Sequence, residues 1–298
     1  MDSWRKITSN KTILAWIEFG VSYEFVDGPP PPTSGIEYNI SEELAAVRDE
    51  EFRRYLELGA IEPLPQDQLA SATFNGVFVV SQRNKDRPVI DQRYPNSYQK
   101  KIHFKMDTIR DVKDLLREGD FMFKIDLKDA YLHLMYRRSH RKYGAFWWNG
   151  TPWAFGMMFG HTHAPRWWTK LMKPVVKFLR KEGIRCVIYL DDLLVLCGKD
   201  FKEALRIRDL VLNLILVLGL TVNMKKSVLV PVRRLDYLGF VINSKSMVLS
   251  IDKEKIATFK KDVKKLLKAG VASARDLARI LGKISAMSNA ILPWRLRT

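Results

Sequence analysis

The chain has 298 residues, and the 47% that are apolar are enough to form a sizeable core, which excludes bulk disorder. Lys and Arg number 50 against 33 Asp and Glu, and a net charge of +17 favours a polyanionic partner such as nucleic acid. Two cysteines are too few for a disulfide framework and indicate an intracellular setting, without distinguishing cytoplasm from nucleus. No apolar stretch is long enough to span a bilayer, so no membrane association is expected.

The first third of the chain predicts an N-terminal extension followed by mixed structure. Residues 1–26 contain helical segments, and the proline-rich run 27–35, DGPPPPTSG, cannot lie inside a helix or a central strand. Ser41 predicts the cap of an amphipathic helix over 41–58. The segment 74–96 predicts two short strands, VFVV and RPVID, around the polar turn RNKD.

The rest of the chain alternates apolar strand patterns with helical ones. The strands are short apolar runs, and the helices begin at capping residues or end at glycines. In chain order the predicted elements are a strand at 121–127, a hairpin at 143–155, a helix from about 164 to 182, a hairpin around 191, a helix from 200 to 219, a strand at 235–242, and helices at 252–268 and 274–290.

Three aspartates stand at the ends of two of these predicted strands. Asp126 ends the strand FMFKIDL, and Asp191 and Asp192 separate the apolar runs of CVIYLDDLLVLC. Buried carboxylates are costly unless they are paired or bound to a cation, and adjacent carboxylates repel each other. If the two strands are neighbours, the carboxylates converge at one sheet edge, where oxygen ligands select Mg²⁺ or Mn²⁺. Two such ions activate an attacking hydroxyl and stabilise a leaving pyrophosphate oxygen, which is polymerase chemistry.

Motifs around these aspartates and further along the chain resemble, in order, those of reverse transcriptases. KIDLKDAY resembles the first catalytic motif, YLDD the third, and FGMMFGHTHAP the motif that contacts template and nucleotide. GLTVNMKKS resembles the fourth motif, YLGFVI the primer grip, and RNKDRPVIDQRYPN the fingers motif. The resemblance covers nearly the whole chain and implies an α/β (α+β) fold, a right-hand polymerase with fingers, palm and helical thumb.

Longer runs narrow the resemblance to DIRS-like, tyrosine-recombinase-encoding retrotransposons. They are LELGAIEPLP, RPVIDQRYPN, APRWWTKLMKPVVKFLRKEGIRCVIYLDD and ARILGKISA. One departure is Met158, where related elements usually carry proline. The resemblance implies four parts: an N-terminal extension and Pro-rich linker at 1–35, fingers and the start of the palm at 36–120, a palm with the catalytic motifs and the primer grip at 121–242, and a helical thumb at 243–298. Within the palm, the hairpin 143–155 is expected at the junction with the fingers.

The resemblance also implies the role of individual residues. The metal ligands are Asp126, Asp191, Asp192 and the backbone carbonyl of Leu127. The residues that bind the dNTP are Arg83, Arg87, Tyr131, Phe159, Gly160 and Lys226. The primer grip comprises Tyr237, Leu238 and Gly239. The residues that contact template and primer are Arg93, Tyr189, Lys260, Lys264 and Lys268.

Several of these residues also have an ordinary structural interpretation. Arg87 and Arg93 could solvate a turn or brace a strand, and Lys226 could belong to a solvated loop. The lysines of the predicted helix at 252–268 could be solvated rather than bound to phosphates. His161 and His163 have a spacing compatible with zinc, but no third His or Cys lies nearby in the sequence, so loop or helix-start contacts are favoured.

The implied function is template-directed DNA synthesis from dNTPs on a primed RNA or DNA template, with two Mg²⁺ or Mn²⁺ ions as cofactors. Two alternatives stay open: an RNA-dependent RNA polymerase, and a catalytically inactive, domesticated nucleic-acid-binding protein. Tyr131 disfavours the first, because that class typically has an acid there and Gly-Asp-Asp instead of Tyr-x-Asp-Asp. The presence of all three acids disfavours the second. No ribonuclease H activity is expected of this chain, because the acids after Leu249 all fall on predicted thumb helices: Asp252, Glu254, Asp262 and Asp276. Since retroelement polymerases commonly have such a domain behind the thumb, the resemblance implies a ribonuclease H domain elsewhere in a longer polyprotein.

Overall fold

A computed structural model describes residues 1–35, 37–82, 85–156, 160–288 and 290. Within these residues the helices are α1 (Asp2–Ile7), α2 (Lys11–Phe19), α3 (Glu42–Glu57), α4 (Arg93–Ser97), α5 (Ile109–Leu115), α6 (Ala164–Lys181), α7 (Phe201–Val217), α8 (Lys253–Ala269) and α9 (Ala274–Met287). The strands are β1 (Ile61–Pro63), β2 (Val77–Gln82), β3 (Lys85–Ile90), β4 (Met122–Asp126), β5 (Ala145–Trp148), β6 (Thr151–Phe155), β7 (Arg185–Tyr189), β8 (Asp192–Leu196), β9 (Val228–Val232), β10 (Arg234–Tyr237), β11 (Phe240–Asn243) and β12 (Val248–Ile251).

The chain divides into two compact units, each built from two stretches of sequence. The first unit contains Met1–Lys105 and Asp129–Val175, and the second contains Met106–Lys128 and Val176–Thr298. Each unit has its own hydrophobic core. The sequence therefore passes between the units three times.

The first unit contains a three-stranded antiparallel sheet in the order β1-β6-β5 and the separate hairpin β2-β3. Asn149 and Gly150, both with positive φ, connect β5 to β6, which confirms the predicted hairpin and its turn. The sheet buries Phe146 and Trp148 against Phe52 of α3. This contact accounts for the apolar face of α3. At the N-terminus of α3 the predicted cap, Ser41, accepts a hydrogen bond through its side chain from the Leu44 N–H.

The second unit contains a four-stranded antiparallel sheet in the order β7-β8-β4-β9. Its central strands, β8 and β4, are almost entirely buried, with Ile125, Leu193 and Leu194 inaccessible to solvent. The prediction that the strand ending at Asp126 is a neighbour of the Asp191 hairpin is confirmed. Helix α7 packs against β9 and begins, as predicted, at an Asp200 side chain that caps it.

The prediction of a single strand at 235–242 is wrong. The segment forms the antiparallel hairpin β10-β11, which turns at Leu238 and Gly239 with φ of 49° and 77°. Strand β12 extends this sheet where only helices were expected, and β9 was also not anticipated. The turn escaped detection because Leu238 continues the apolar run, so that only Gly239 marks the reversal of the chain.

The two predicted C-terminal helices are confirmed as α8 and α9. Gly270, with φ of 65°, ends α8, and Ser273 caps α9. Lys283 of α9 forms an ion pair with Asp262 of α8. In the part of the chain that the structure describes, no helix combines the length and apolar character needed to cross a bilayer.

Candidate active site

The register between β4 and β8 places two of the three predicted aspartates directly opposite each other. Asp126 is the last residue of β4 and pairs with Asp192, the first residue of β8. Directly opposed residues of antiparallel strands have Cα atoms about 4.5–5.5 Å apart. A one-residue slip would turn every side chain of β4 or β8 to the opposite face of the sheet, so the fully buried Ile125 and Leu193 would lose the packing that favours this register.

The third aspartate lies in the tight connection between β7 and β8. Leu190 and Asp191 are its two residues, and Leu190 has a φ of 52°, a conformation that costs a residue with a side chain about 1–2 kcal/mol. The Leu127 N–H donates to the Asp191 carbonyl oxygen at 2.8 Å, which ties this turn to the end of β4. The strained turn is therefore held from the neighbouring strand.

The carboxylates perturb one another. Burial raises the pKa of Asp126 and the charge of Asp191 raises it further, while Lys226 and a hydrogen bond from Asn223 oppose the shift. Burial also raises the pKa of Asp192, and both other aspartates add to it. Asp126 is only 8% exposed. Without a bound cation, negative charge is therefore disfavoured at two of the three positions.

Two lysines supply positive charge at this site. Lys226, a predicted dNTP ligand, places its Nζ 4.0 Å from Oδ2 of Asp126 and stays 64% exposed. Lys124, which the sequence interpretation missed, is the strongest influence lowering the pKa of Asp192 and also lowers that of Asp126. Its signal was available in the alternation of β4, because a residue two positions before Asp126 lies on the same face of the strand.

Backbone contacts fix the end of β4. The Asp126 N–H donates to Oγ of Ser227 at 3.0 Å, and this hydroxyl donates to the Asn223 carbonyl at 2.8 Å. The Asn223 N–H donates to the Asp126 carbonyl at 2.8 Å. The turn before β9 therefore holds Asp126 in place, a role for Asn223 and Ser227 that the motif alone did not indicate.

Tyr237, assigned by resemblance to the primer grip, has a buried side chain. Its hydroxyl donates to the carbonyl oxygens of Asp192 at 3.1 Å and Val187 at 3.3 Å, beneath the aspartate hairpin. The side chain is thus part of the support of the hairpin, and a nucleic-acid contact in this motif would fall to the partly exposed turn at Leu238 and Gly239.

The donor set at this site consists of carboxylate and carbonyl oxygens, which suits Mg²⁺ or Mn²⁺. Asp126, Asp191 and Asp192 are electrostatically coupled, as a shared cation site requires. Among the described residues, however, no three His, Cys, Asp or Glu side chains are already gathered as metal ligands. The backbone therefore brings the three aspartates together, while their side chains are not in a ligating arrangement.

The remaining predicted nucleotide ligands belong to the first unit. Arg87 is exposed on β3, and Tyr131 is half-buried in a short 3₁₀ helix, Ala130–His133. Gly160 has a φ of 99°, and its carbonyl accepts a hydrogen bond from the side chain of Asn96 at 2.8 Å. The other two predicted ligands, together with Met158, lie outside the described residues: Arg83 and Phe159.

Arg93 borders a groove in the first unit. Its guanidinium is 89% exposed and forms an ion pair with Asp91 at 2.6 Å. The hydrogen bond from Arg93 is the main cause of a lowered pKa at Asp91. The groove has a volume of about 530 Å³, and Asn75, Gly76 and Tyr94 also line it.

The predicted template-primer contacts in the second unit differ in exposure. Tyr189 is half-buried at the end of β7, opposite Asp192. Three lysines of α8, which we call the thumb lysines, are exposed: Lys260, Lys264 and Lys268.

Comparison with known proteins identifies the family. Residues 80–242, just over half of the chain, match the family described as reverse transcriptase (RNA-dependent DNA polymerase). The chain belongs to the reverse transcriptase family, which confirms the resemblance drawn from its motifs. None of the curated proteins matches the chain.

Solved structures of foamy viral protease-reverse transcriptases share the fold. One, in complex with an RNA/DNA hybrid, is 19% identical with a TM-score of 0.68 over 92% of this chain and 36% of that chain. A second, in complex with double-stranded DNA, is 18% identical with a TM-score of 0.67 over 99% of this chain and 54% of that one. Native Prototype Foamy Virus protease-reverse transcriptase is 17% identical with a TM-score of 0.63, over 90% and 36%. The predicted mixed helix and sheet fold of a polymerase is confirmed, and this chain spans about a third to a half of these relatives.

Proposed function

We propose that this chain is an RNA-directed DNA polymerase, which extends a primer with dNTPs on RNA or DNA templates. The observation that carries the proposal is the pairing of Asp126 with Asp192 in a chain of the reverse transcriptase family. The foamy viral relatives in complex with an RNA/DNA hybrid and with double-stranded DNA support the choice of nucleic-acid partner. The net charge of +17 suits a phosphate backbone.

The three aspartates are proposed to hold two Mg²⁺ or Mn²⁺ ions, with the Leu127 carbonyl as a further ligand. When bound, these ions would activate the primer hydroxyl and stabilise the leaving pyrophosphate oxygen. The chain itself supplies a rigid carboxylate platform, since Ser227, Asn223 and Tyr237 fix the backbone of both strands. The raised pKa values of Asp126 and Asp192 fit a site that is compensated by cations.

The incoming dNTP is proposed to bind through its phosphates and its sugar. Lys226 already lies beside Asp126 and is exposed, so it can contact the triphosphate. Arg83, Arg87, Phe159 and Gly160 follow from the family motifs. Tyr131 lies five residues beyond Asp126, and its ring is proposed to exclude the 2′-hydroxyl of ribonucleotides by a steric clash.

The template and primer are proposed to contact residues of both units. Arg93, on its exposed groove, would contact the template, and the turn at Leu238 and Gly239 would contact the primer. Tyr189 stands next to the aspartates in the register of the hairpin. The thumb lysines would bind phosphates of the duplex.

The biological role is proposed to be the replication of a DIRS-like retrotransposon, on the strength of the sequence runs that resemble those elements. A ribonuclease H domain would then lie elsewhere in a longer polyprotein. The intact carboxylates favour this role over an inactive nucleic-acid-binding protein, and Tyr131 favours it over an RNA-dependent RNA polymerase.

Primer extension tests the proposal directly. The purified chain is given primed RNA or DNA templates with dNTPs or rNTPs, in Mg²⁺ and in Mn²⁺, beside the variant Asp126→Asn. We expect dNTP incorporation by the wild type and a loss of at least about a thousandfold in the variant, because one ligand of a two-metal site is removed. Template-primer binding, measured by filter binding, should be retained.

Each alternative has its own result in the same experiment. Incorporation of rNTPs in place of dNTPs would favour an RNA polymerase. Binding without any extension would favour an inactive nucleic-acid-binding protein. Retained extension in Asp126→Asn would overturn the assignment of the metal ligands.

A further inference from the structure

The N-terminal extension contains a short extended segment, residues 21–26, which we call the strap. The Val21 N–H donates to the Met135 carbonyl at 2.8 Å, and the Arg137 N–H donates to the Val21 carbonyl at 2.7 Å. Gly20, with a φ of 85°, precedes the strap, and a Cβ there would lie 2.6 Å from the backbone it passes. Only glycine fits this close approach, so the strap is built into the first unit.

Backbone hydrogen bonds attach the strap to residues 92–100, which include the last five residues of the fingers motif. The Lys100 N–H donates to the Glu24 carbonyl at 3.0 Å, and the Val26 N–H donates to the Tyr98 carbonyl at 3.0 Å. These two backbone hydrogen bonds join the strap to the C-terminal end of this segment.

The side chain of Tyr23 extends the attachment to a second segment. Its hydroxyl donates to Oε1 of Gln92 at 3.1 Å. Its ring stacks on Tyr136, with centroids 4.6 Å apart, and meets the edge of His161 at 4.7 Å. His161 belongs to residues 160–167, which contain the last six residues of FGMMFGHTHAP, the run that resembles the template- and nucleotide-contacting motif of the family.

Glu24 makes a charged contact between the strap and residues 166 and 167, which directly follow that motif. Its Oε1 accepts a hydrogen bond from Arg166 at 2.8 Å and lies 3.5 Å from Nε1 of Trp167. The Arg166 side chain is only 9% exposed, and its Nε lacks a partner among the described residues. Burial would raise the pKa of Glu24, but the hydrogen bonds and charge of Arg166 lower it below its usual value. The buried guanidinium therefore depends on this one carboxylate for its charge compensation.

The two segments also bind each other directly. The side chain of Asn96 donates to the Gly160 carbonyl at 2.8 Å and accepts from the Thr162 N–H at 2.9 Å. The strap also contacts both segments, residues 92–100 through Tyr23 and its backbone and residues 160–167 through Tyr23 and Glu24. It therefore adds a second set of contacts between the two segments.

We infer that the strap is a positioning element, and that Glu24 holds residues 92–100 and 160–167 in the arrangement that binds the incoming nucleotide. This inference rests on the proposed polymerase function. Glu24 takes no part in the chemistry, so its loss should weaken dNTP binding and leave the chemical step nearly intact.

The test compares Glu24→Ala and Glu24→Gln with a matched control, Asp27→Ala, which removes the same charge from an exposed position one residue beyond the strap. For the Glu24 variants we expect the KM for dNTP to rise about tenfold, the size of one lost charge-assisted hydrogen bond, and kcat to stay within about twofold. Hydrogen exchange of residues 92–100 and 160–167 should accelerate in these variants and not in the control. Glu24→Gln keeps the side-chain shape and decides the question if Glu24→Ala folds poorly.

The exchange measurement separates this inference from the proposed function. A wild-type chain that does not extend primers refutes the proposed function, whereas exchange at the two segments still reports whether the strap holds them. Unchanged exchange in both Glu24 variants, or a fall in kcat at unchanged KM, would overturn the inference.

Discussion

Replacing Tyr237 with Phe removes one hydroxyl from beneath the aspartate hairpin and leaves the ring in place. This hydroxyl donates to the carbonyls of Asp192 and Val187, and the side chain is buried. Burial raises the pKa of Tyr237 and the nearby Asp192 carboxylate raises it further. The phenol therefore stays protonated at every pH at which the protein is studied, and the hydrogen bond is present in any assay.

The size of the effect on the hairpin follows from the loss of the Tyr237 hydroxyl hydrogen, which the carbonyls of Asp192 and Val187 share. A buried hydrogen bond contributes about 0.5–1.5 kcal/mol, and a buried group left unsatisfied costs about 1–3 kcal/mol. We therefore expect the variant to lower the free energy of opening the hairpin by about 1–2 kcal/mol, which is a factor of about 5–30 in the opening equilibrium. Because Asp192 would be held less firmly, the extension rate should fall severalfold at unchanged template-primer affinity.

Hydrogen exchange of residues 185–196 by mass spectrometry measures this opening. Exchange there should accelerate about 5–30-fold in Tyr237→Phe, with residues 145–155 of the first unit as an internal reference. Tyr94→Phe is the matched control, since it removes a hydroxyl from an exposed ring. Exchange within twofold of the wild type would refute the idea that Tyr237 supports the hairpin.

Four further predictions concern the sugar, the duplex, the metal and the pH dependence of stability. Tyr131→Val should admit ribonucleotides and weaken dNTP incorporation only moderately, and an unchanged ratio of dCTP to CTP incorporation opposite template G would remove Tyr131 from the site. Changing the thumb lysines together to Gln should reduce the slope of log binding constant against log salt concentration by about 3, because three phosphate contacts are lost. The same change at the exposed Lys6, Lys11 and Lys202 should leave the slope unchanged. An equal slope in both triple variants would show that the thumb lysines are solvated and do not bind phosphates. Mn²⁺ should raise the Tm of the nucleic-acid-free wild type and not that of Asp126→Asn. The raised pKa values of Asp126 and Asp192 mean that, without metal, the folded chain binds protons more readily than the unfolded chain at these two carboxylates. Their contribution to the free energy of unfolding should therefore grow as the pH falls toward about 3.9, the pKa of a free Asp. A wild type in which this contribution shrinks on acidification would contradict the raised pKa values.

The sequence carried the main feature of the site because that feature is local. Apolar runs identify buried strands, and an aspartate at the end of such a run marks a sheet edge. The convergence of the three aspartates could therefore be predicted on the condition that the two strands are neighbours, whereas the pairing of Asp126 with Asp192 comes from the structure. Lys124 was also within reach of this reasoning, since β4 alternates from face to face. The family motif begins at this lysine, but the resemblance assigns roles only to Asp126, Leu127 and Tyr131 within it.

Other parts of the site depend on contacts between residues far apart in sequence. The hydroxyl of Tyr237 meets the carbonyl of Asp192 across 45 positions, and Arg166 meets Glu24 across 142. No local pattern reports such pairs. The contacts of the predicted N-terminal extension could not be anticipated for the same reason, because the residues that bury Val21 and Tyr23 come much later in the chain.

The interleaving of the two units has a consequence for how the chain acquires its structure during synthesis. Strand β4 reaches the centre of its sheet only when β8 and β9 are present, and Asp126 is made about 66 residues before its partner Asp192. At about 5–20 residues per second, the ribosome leaves this apolar strand unpaired for roughly 3–13 s. The first unit is complete only when synthesis has passed Val175, the last residue of its second stretch. The first unit can be completed before the second, whose sheet still lacks β7, β8 and β9 when Val175 has been made. A product truncated before β8 would therefore expose the unpaired edges of β4 to aggregation, and chaperone demand should be greatest while residues 126–192 are being made.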